Sequence, residues 1–159
     1  MKVMLFHLNN DIFAINIEDI DEIIMMAAIK KVPGSPSFIN GILNLWGAFL
    51  PVIDLSNRLG FQRPKPPPPL NSNEPELTPY TKETRIIIVQ CKDLKIGMIV
   101  DNIKEILEVG HDDIRENVLM EDARPDYIDG IIINKKELVQ IVHVKQIIDE
   151  EELAMIRNT

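Results

Sequence analysis

Two stretches of the chain decide its fold. FINGILNLWGAFLPVIDL runs from Phe38 to Leu55, and YIDGIIINKKELVQIVHV runs from Tyr127 to Val144. Each opens on an aromatic, reaches a glycine three residues later, continues through Ile and Leu, turns, and resumes as a second apolar run. Asp54 and His143 each follow their glycine by thirteen residues, in PVIDL and QIVHV. Short runs rich in Ile and Val, cut by Gly, Asn, Asp and Pro, carry strand punctuation rather than helical periodicity.

The likeness extends outward from these stretches. FAINIEDIDEII (Phe13 to Ile24) lies over IGMIVDNIKEIL (Ile96 to Leu107) at an offset of 83, which matches Ile20 with Ile103, Glu22 with Glu105 and Ile23 with Ile106. FINGILNL lies over YIDGIIIN at an offset of 89, and VMLFHL lies over RIIIVQ at 82. Three blocks in one order at nearly constant offset describe an internal repeat. Strands are expected over 2–8, 11–17, 21–29, 40–46 and 48–53, then 85–91, 95–100, 102–109, 128–134 and 137–142. Asn9 to Asp11 and Lys92 to Lys95 read as tight turns between them.

Five short strands per repeat close best as a small barrel, which leaves no exposed edge. The predicted fold is therefore all-β, with two five-stranded barrels packed side by side. A first barrel over 1–60 and a second over 85–148 are joined by 61–84, and a helical tail covers 149–159. Asp54 is placed to cap a short helix ended by Gly60, and acids from Asp149 to Glu152 suit the start of the tail helix. The connection holds seven of the chain's 11 prolines, with PKPPPP at its centre. That run favours an extended surface linker and also contains the P-x-x-P spacing recognised by aromatic grooves.

Composition excludes several functions. The chain of 159 residues carries 25 acidic against 17 basic side chains, a formal net charge of −8. It has no basic run, so binding to nucleic acid or to anionic lipid is not expected. No stretch approaches the apolar length of a membrane span. A lone cysteine, Cys91, forbids an internal disulfide and fits a cytoplasmic setting. His7, His111 and His143 stand far apart, no Cys-x₂-Cys spacing occurs, and no phosphate loop or nucleophile elbow is present. Neither a metal, a cofactor nor catalysis is expected.

The order of blocks resembles the CheW-like family of bacterial chemotaxis, over Val3 to Ile148. The residues that carry the resemblance are FINGILNLWGAFLPVIDLSNRLG, IGMIVDNIKEIL and YIDGIIIN. The resemblance implies two SH3-like barrels and a non-catalytic adaptor. It implies as partners the regulatory domain of a CheA-type histidine kinase and the cytoplasmic hairpin tip of chemoreceptors. The protein would then be recruited to receptor arrays at the inner membrane face. A diverged scaffold for another sensory pathway, or a self-associating form, is the alternative.

Four residues are the candidate partner contacts: Ile20, Glu22, Trp46 and Ile103. From the residues alone the two isoleucines read as core and Glu22 as a solvated charge. The resemblance moves all three to a groove between the barrels, with Ile20 and Glu22 on one strand face. Trp46 stands where family members carry an arginine close to a glutamate matching Glu22. Strand alternation puts Leu43 and Leu45 on one face, and Asn44 and Trp46 on the other. Trp46 is then either an exposed aromatic anchor for a partner or a contact with the other barrel.

Overall fold

A computed structural model describes residues 1–61, 80–115 and 127–157. Of the segment 61–84 read as a linker, residues 62–79 fall outside them. The strands are β1 (Lys2–Leu8), β2 (Asp11–Asn16), β3 (Ile20–Met25), β4 (Gly41–Leu45), β5 (Ala48–Asp54), β6 (Arg85–Cys91), β7 (Leu94–Val100), β8 (Asn102–Glu108), β9 (Ile114–Arg115), β10 (Ile128–Asn134) and β11 (Glu137–Val142). Two helices, α1 (Leu55–Arg58) and α2 (Glu150–Arg157), complete the described elements together with short 3-10 turns. Every expected strand is present. The two-residue β9 is additional, and β3 stops four residues short of its expected end at 29.

The strands form a six-stranded sheet in the order β8-β1-β2-β11-β10-β9 and a five-stranded sheet in the order β3-β6-β7-β5-β4. The two orders are the same order under the repeat. Their membership corrects the contiguous reading of 1–60 and 85–148. The β1–β2 hairpin pairs with β8 and, in parallel, with β11. The β6–β7 hairpin pairs with β3 and, in parallel, with β5. Each SH3-like barrel is thus closed by a hairpin from the other half of the chain.

The physical reason lies in the hairpin sequences. In β1, Val3 and Leu5 enter the core of one barrel, whereas Met4, Phe6 and Leu8 enter a central cluster between the barrels. In β6, Ile86 and Ile88 fill the other barrel, and Ile87, Val89 and Cys91 join the central cluster. VMLF and IIIV, within β1 and β6, are unbroken apolar runs because both faces of these strands are buried there. β2 and β7, the second strands of the same hairpins, likewise bury both faces, with Phe13 and Ile15 or Met98 and Val100 in the central cluster and Ile12 and Ala14 or Ile99 in a barrel core.

Gly41 and Gly130, matched by the repeat, share a further constraint. A Cβ on Gly130 would lie 2.8 Å from Ile114 Cγ2 and 3.0 Å from the Arg115 carbonyl, and one on Gly41 would strike Ile29 Cγ2 and lie 3.0 Å from the Lys30 carbonyl. At both places a covering segment crosses the strand: Lys30 bridges to Ile42, and Arg115 pairs with Ile131. The glycine admits that close approach.

Candidate partner-binding surface

The matched strands β3 and β8 flank the central cluster, one from each barrel. Each pairing is interrupted by a register shift, between Ile20 and Glu22 in one and between Leu5 and Phe6 in the other. The shift in β3 sets Ile20 opposite Val89 and Ile23 opposite Ile87, both partners belonging to the central cluster. The one in the β1–β8 ladder sets Ile103 opposite Phe6 and Ile106 opposite Met4, again in the central cluster. Directly opposed residues share a sheet face. Ile20 and Ile23 therefore stand on the inter-barrel side of one sheet, and Ile103 and Ile106 on that of the other.

Ile20 and Ile103 are half-buried and pack against the central cluster. Ile23 is 40% exposed and Ile106 63%. Each barrel thus presents an isoleucine pair whose first member is anchored and whose second reaches solvent. Ile23 and Ile106 escape a reading by strict alternation, because the bulge inverts side-chain parity after the first isoleucine. The same inversion separates Ile20 from Glu22, which was expected on its face. Glu22 opposes Ile88, a residue of the barrel core, and its own side chain is exposed.

A cation accompanies this acidic edge even though residue 46 is not arginine. Lys95 Nζ lies 2.8 Å from Asp21 Oδ2. That hydrogen bond, the Asp21 charge and the lesser field of Glu22 together hold the ammonium above its usual range.

Trp46 is not on a strand. Leu45 pairs with Ala48, so Trp46 and Gly47 are the two central residues of the β4–β5 turn. Their φ values are 55° and 85°, the sign pattern of a type I′ hairpin turn, in which Asn-Gly is the favoured pair. The Asn44 side chain braces the turn by accepting from Gly47 N–H at 3.2 Å. Trp46 is 90% exposed, which removes the reading that it packs against the other barrel. Phe49, opposite Asn44, is 72% exposed and adds a second ring to this hairpin. Its parity, one residue before the inward Leu50, is the signal that marks it in the sequence.

Arg58 ties the two repeats together beneath these surfaces. Its guanidinium lies 5.0 Å from the Phe38 ring centre and 5.3 Å from that of Tyr127, the two aromatics that open the repeated phrase. Arg58 Nε donates to the Ile147 carbonyl at 2.9 Å, and Nη2 pairs with Glu152 at the start of α2. Asp54 caps α1 by accepting from Ser56 N–H at 3.1 Å. Among the described residues no cluster of His, Cys, Asp and Glu is arranged to hold a metal ion.

The family model of the CheW-like domain matches residues 2–152. The chain belongs to the CheW-like domain family. Among CheW-like relatives, the chemotaxis protein CheW of Bacillus subtilis is 30% identical over 153 residues, spanning 94% of this chain and 88% of that protein. The chemotaxis protein CheW of Rhizobium meliloti is 26% identical and spans 95% and 89%. The crystal structure of the scaffolding protein TtCheW from Thermoanaerobacter tengcongensis superposes with a TM-score of 0.79 at 26% identity, covering 95% of this chain and 89% of that one. CheW-like proteins work by binding rather than by catalysis. Among the described residues, no helix of this CheW-like chain is long and apolar enough to cross a membrane.

Proposed function

We propose that this CheW-like chain is a scaffolding adaptor of chemotaxis signalling that joins the regulatory domain of a CheA-type histidine kinase to the hairpin tip of chemoreceptors. The observation that carries this reading is the symmetric pair of isoleucine ledges, Ile20 with Ile23 and Ile103 with Ile106, on either side of the central cluster. A helical hairpin needs apolar contacts from both sides of a groove, and these ledges supply them from separate barrels. The half-buried members are fixed by the core, so they enter a complex with little ordering cost. The Asp21–Lys95 pair adds a charged contact at the edge of β3. Signal passes as a small change in how the two partners are held relative to one another. Attachment to receptors would hold the protein at the inner face of the membrane, from the cytoplasm.

Trp46 supports a second reading, in which the receptor contact has been re-specified for another sensory pathway. A fully exposed tryptophan in a turn that favours asparagine is the kind of side chain kept for a partner. Calorimetric titration separates the readings. Binding of both a CheA-type regulatory domain and a receptor hairpin fragment from the same genome supports the coupling role. Kinase binding without receptor binding supports the re-specified adaptor. Failure to bind the kinase domain defeats both.

A further inference from the structure

The outer edge of β4 is only partly covered. Lys30 N–H donates to the Ile42 carbonyl at 3.0 Å, and Ile42 N–H donates to the Lys30 carbonyl at 2.8 Å. Both backbone groups of Ile42 therefore point away from β5. Pro51 sits opposite Ile42 and, lacking an N–H, fits a position that donates nothing to the ladder. Backbone direction repeats every two residues along a strand, so the N–H and carbonyl of Asn44 point outward as well. The Lys30–Ile42 bridge is isolated, and among the described residues no backbone group pairs with this outward edge of Asn44.

Beside that edge lies a groove of about 580 Å³, lined by Val32, Pro33, Ile42 and Phe49 and bordered by Lys30 and Lys31. The exposed rings of Phe49 and Trp46 stand on the same hairpin. Lys92, Lys95 and Lys104 are each matched with a carboxylate, whereas Lys30 and Lys31 have none among the described residues. Lys30 and Lys31 set two adjacent positive charges beside the groove on a chain whose net charge is −8.

We propose that the β4 edge and this groove bind an extended, acidic and apolar segment of a partner protein as an added strand. The free N–H and carbonyl of Asn44 supply the main-chain ladder, the usual source of affinity in strand addition. Alternate apolar side chains of the segment face Phe49 and the groove, and its carboxylates meet Lys30 and Lys31. Ile20, Glu22 and Ile103 take no part, so the proposal does not depend on how kinase or receptor is held.

Trp46 is the chain's single tryptophan, so its emission reports on this surface alone. The test is a titration of the full chain with a capped synthetic peptide of alternating valine and glutamate, followed by tryptophan fluorescence. A valine–lysine peptide of equal length is the control. The expected result is a saturable blue shift with the acidic peptide only, and a shifted amide resonance at Asn44. Phe49→Ser, and separately the pair Lys30→Glu with Lys31→Glu, weaken binding at least about tenfold while leaving the melting temperature in place. No shift up to millimolar peptide, or an equal shift with the lysine control, overturns the proposal. So does emission already blue-shifted in the dilute free protein, which would mean that residues 62–79 cover the groove. A peptide-independent shift that grows with protein concentration alongside a doubled mass overturns it in favour of a second copy.

Discussion

Phe38 and Tyr127 occupy equivalent places in the two repeats and meet at one cation. The guanidinium of Arg58 lies 5.0 Å from one ring centre and 5.3 Å from the other, while also bonding Ile147 and Glu152. Arg58→Ala strands Glu152 with little solvent and removes both ring contacts. The expected loss is about 3–5 kcal/mol, measured by denaturant unfolding. Arg58→Lys recovers only part of it, because an ammonium cannot reproduce the planar fork. A loss below about 1 kcal/mol would show that the aromatic pair holds the halves together without the cation.

Trp46 is held at positive φ, which is uncommon for a bulky side chain. Trp46→Asn suits the type I′ turn and is expected to leave stability unchanged or raise it by up to about 1 kcal/mol. Its partner affinity should fall by about 2–4 kcal/mol if the ring anchors a complex. Thermal melts and calorimetry on the same variant separate these effects. A lowered melting temperature would contradict the exposed position of the ring.

Gly41→Ala and Gly130→Ala place a methyl group against Ile29 and Ile114, where each covering segment crosses its barrel. Each is expected to cost about 1–3 kcal/mol. The losses should be similar, since the crossings are equivalent. A neutral effect at one site alone would show that its covering segment moves aside freely.

The end of α2 is tied to the β6–β7 turn by Arg157 and Asp93. Hydrogen bonding from Arg157 holds the Asp93 carboxyl below its ordinary value of 3.8. A depressed carboxylate contributes its stability above the unfolded value and loses it as pH falls through the folded one. The tail helix is therefore expected to loosen at pH below about 3.8, seen as faster amide exchange at Met155 and Ile156. Asp93→Asn should flatten that acid response and show at neutral pH the same loosening that acid produces in the parent, a small effect because the pair is solvent-exposed.

Cys91 is buried in the central cluster, with its Sγ 3.4 Å from the Val144 carbonyl. Burial pushes its thiol above the usual value. Reaction with a thiol reagent is expected to follow global unfolding rather than local exposure, so its rate should rise in step with denaturant. Rapid labelling of the native protein would show that the inter-barrel seam opens on its own.

Strand positions were legible because alternation and apolar runs mark them directly, and the repeat was legible because it recurs in order. The exchange of hairpins was not. RIIIVQC announces that both faces are buried, yet nothing in it says which sheet receives it. The bulges beside Ile20 and Ile103 were equally silent, and they hid Ile23 and Ile106 by reversing parity. The tip of the β4–β5 hairpin was read one residue too long as strand, since tryptophan is an unusual occupant of a left-handed turn. In its counterpart, Lys135 and Lys136 take φ of 49° and 69° without glycine or asparagine. The four expected contacts are found in three places: Ile20 and Ile103 beside the central cluster, Trp46 on a hairpin tip, and Glu22 on the opposite face of its strand from Ile20.

The crossed hairpins bear on how the chain is made. While residues 1–61 emerge from the ribosome, neither sheet can be completed. The first hairpin lacks β8 and β11, and β3, β4 and β5 lack the strands that will separate them. Folding must wait for the distal half, and during that interval apolar strands are unsatisfied. The same interleaving should let the chain survive being cut between 61 and 80. Each fragment would then carry one hairpin required by the other, so the two halves, expressed separately, should reassemble as an obligate pair.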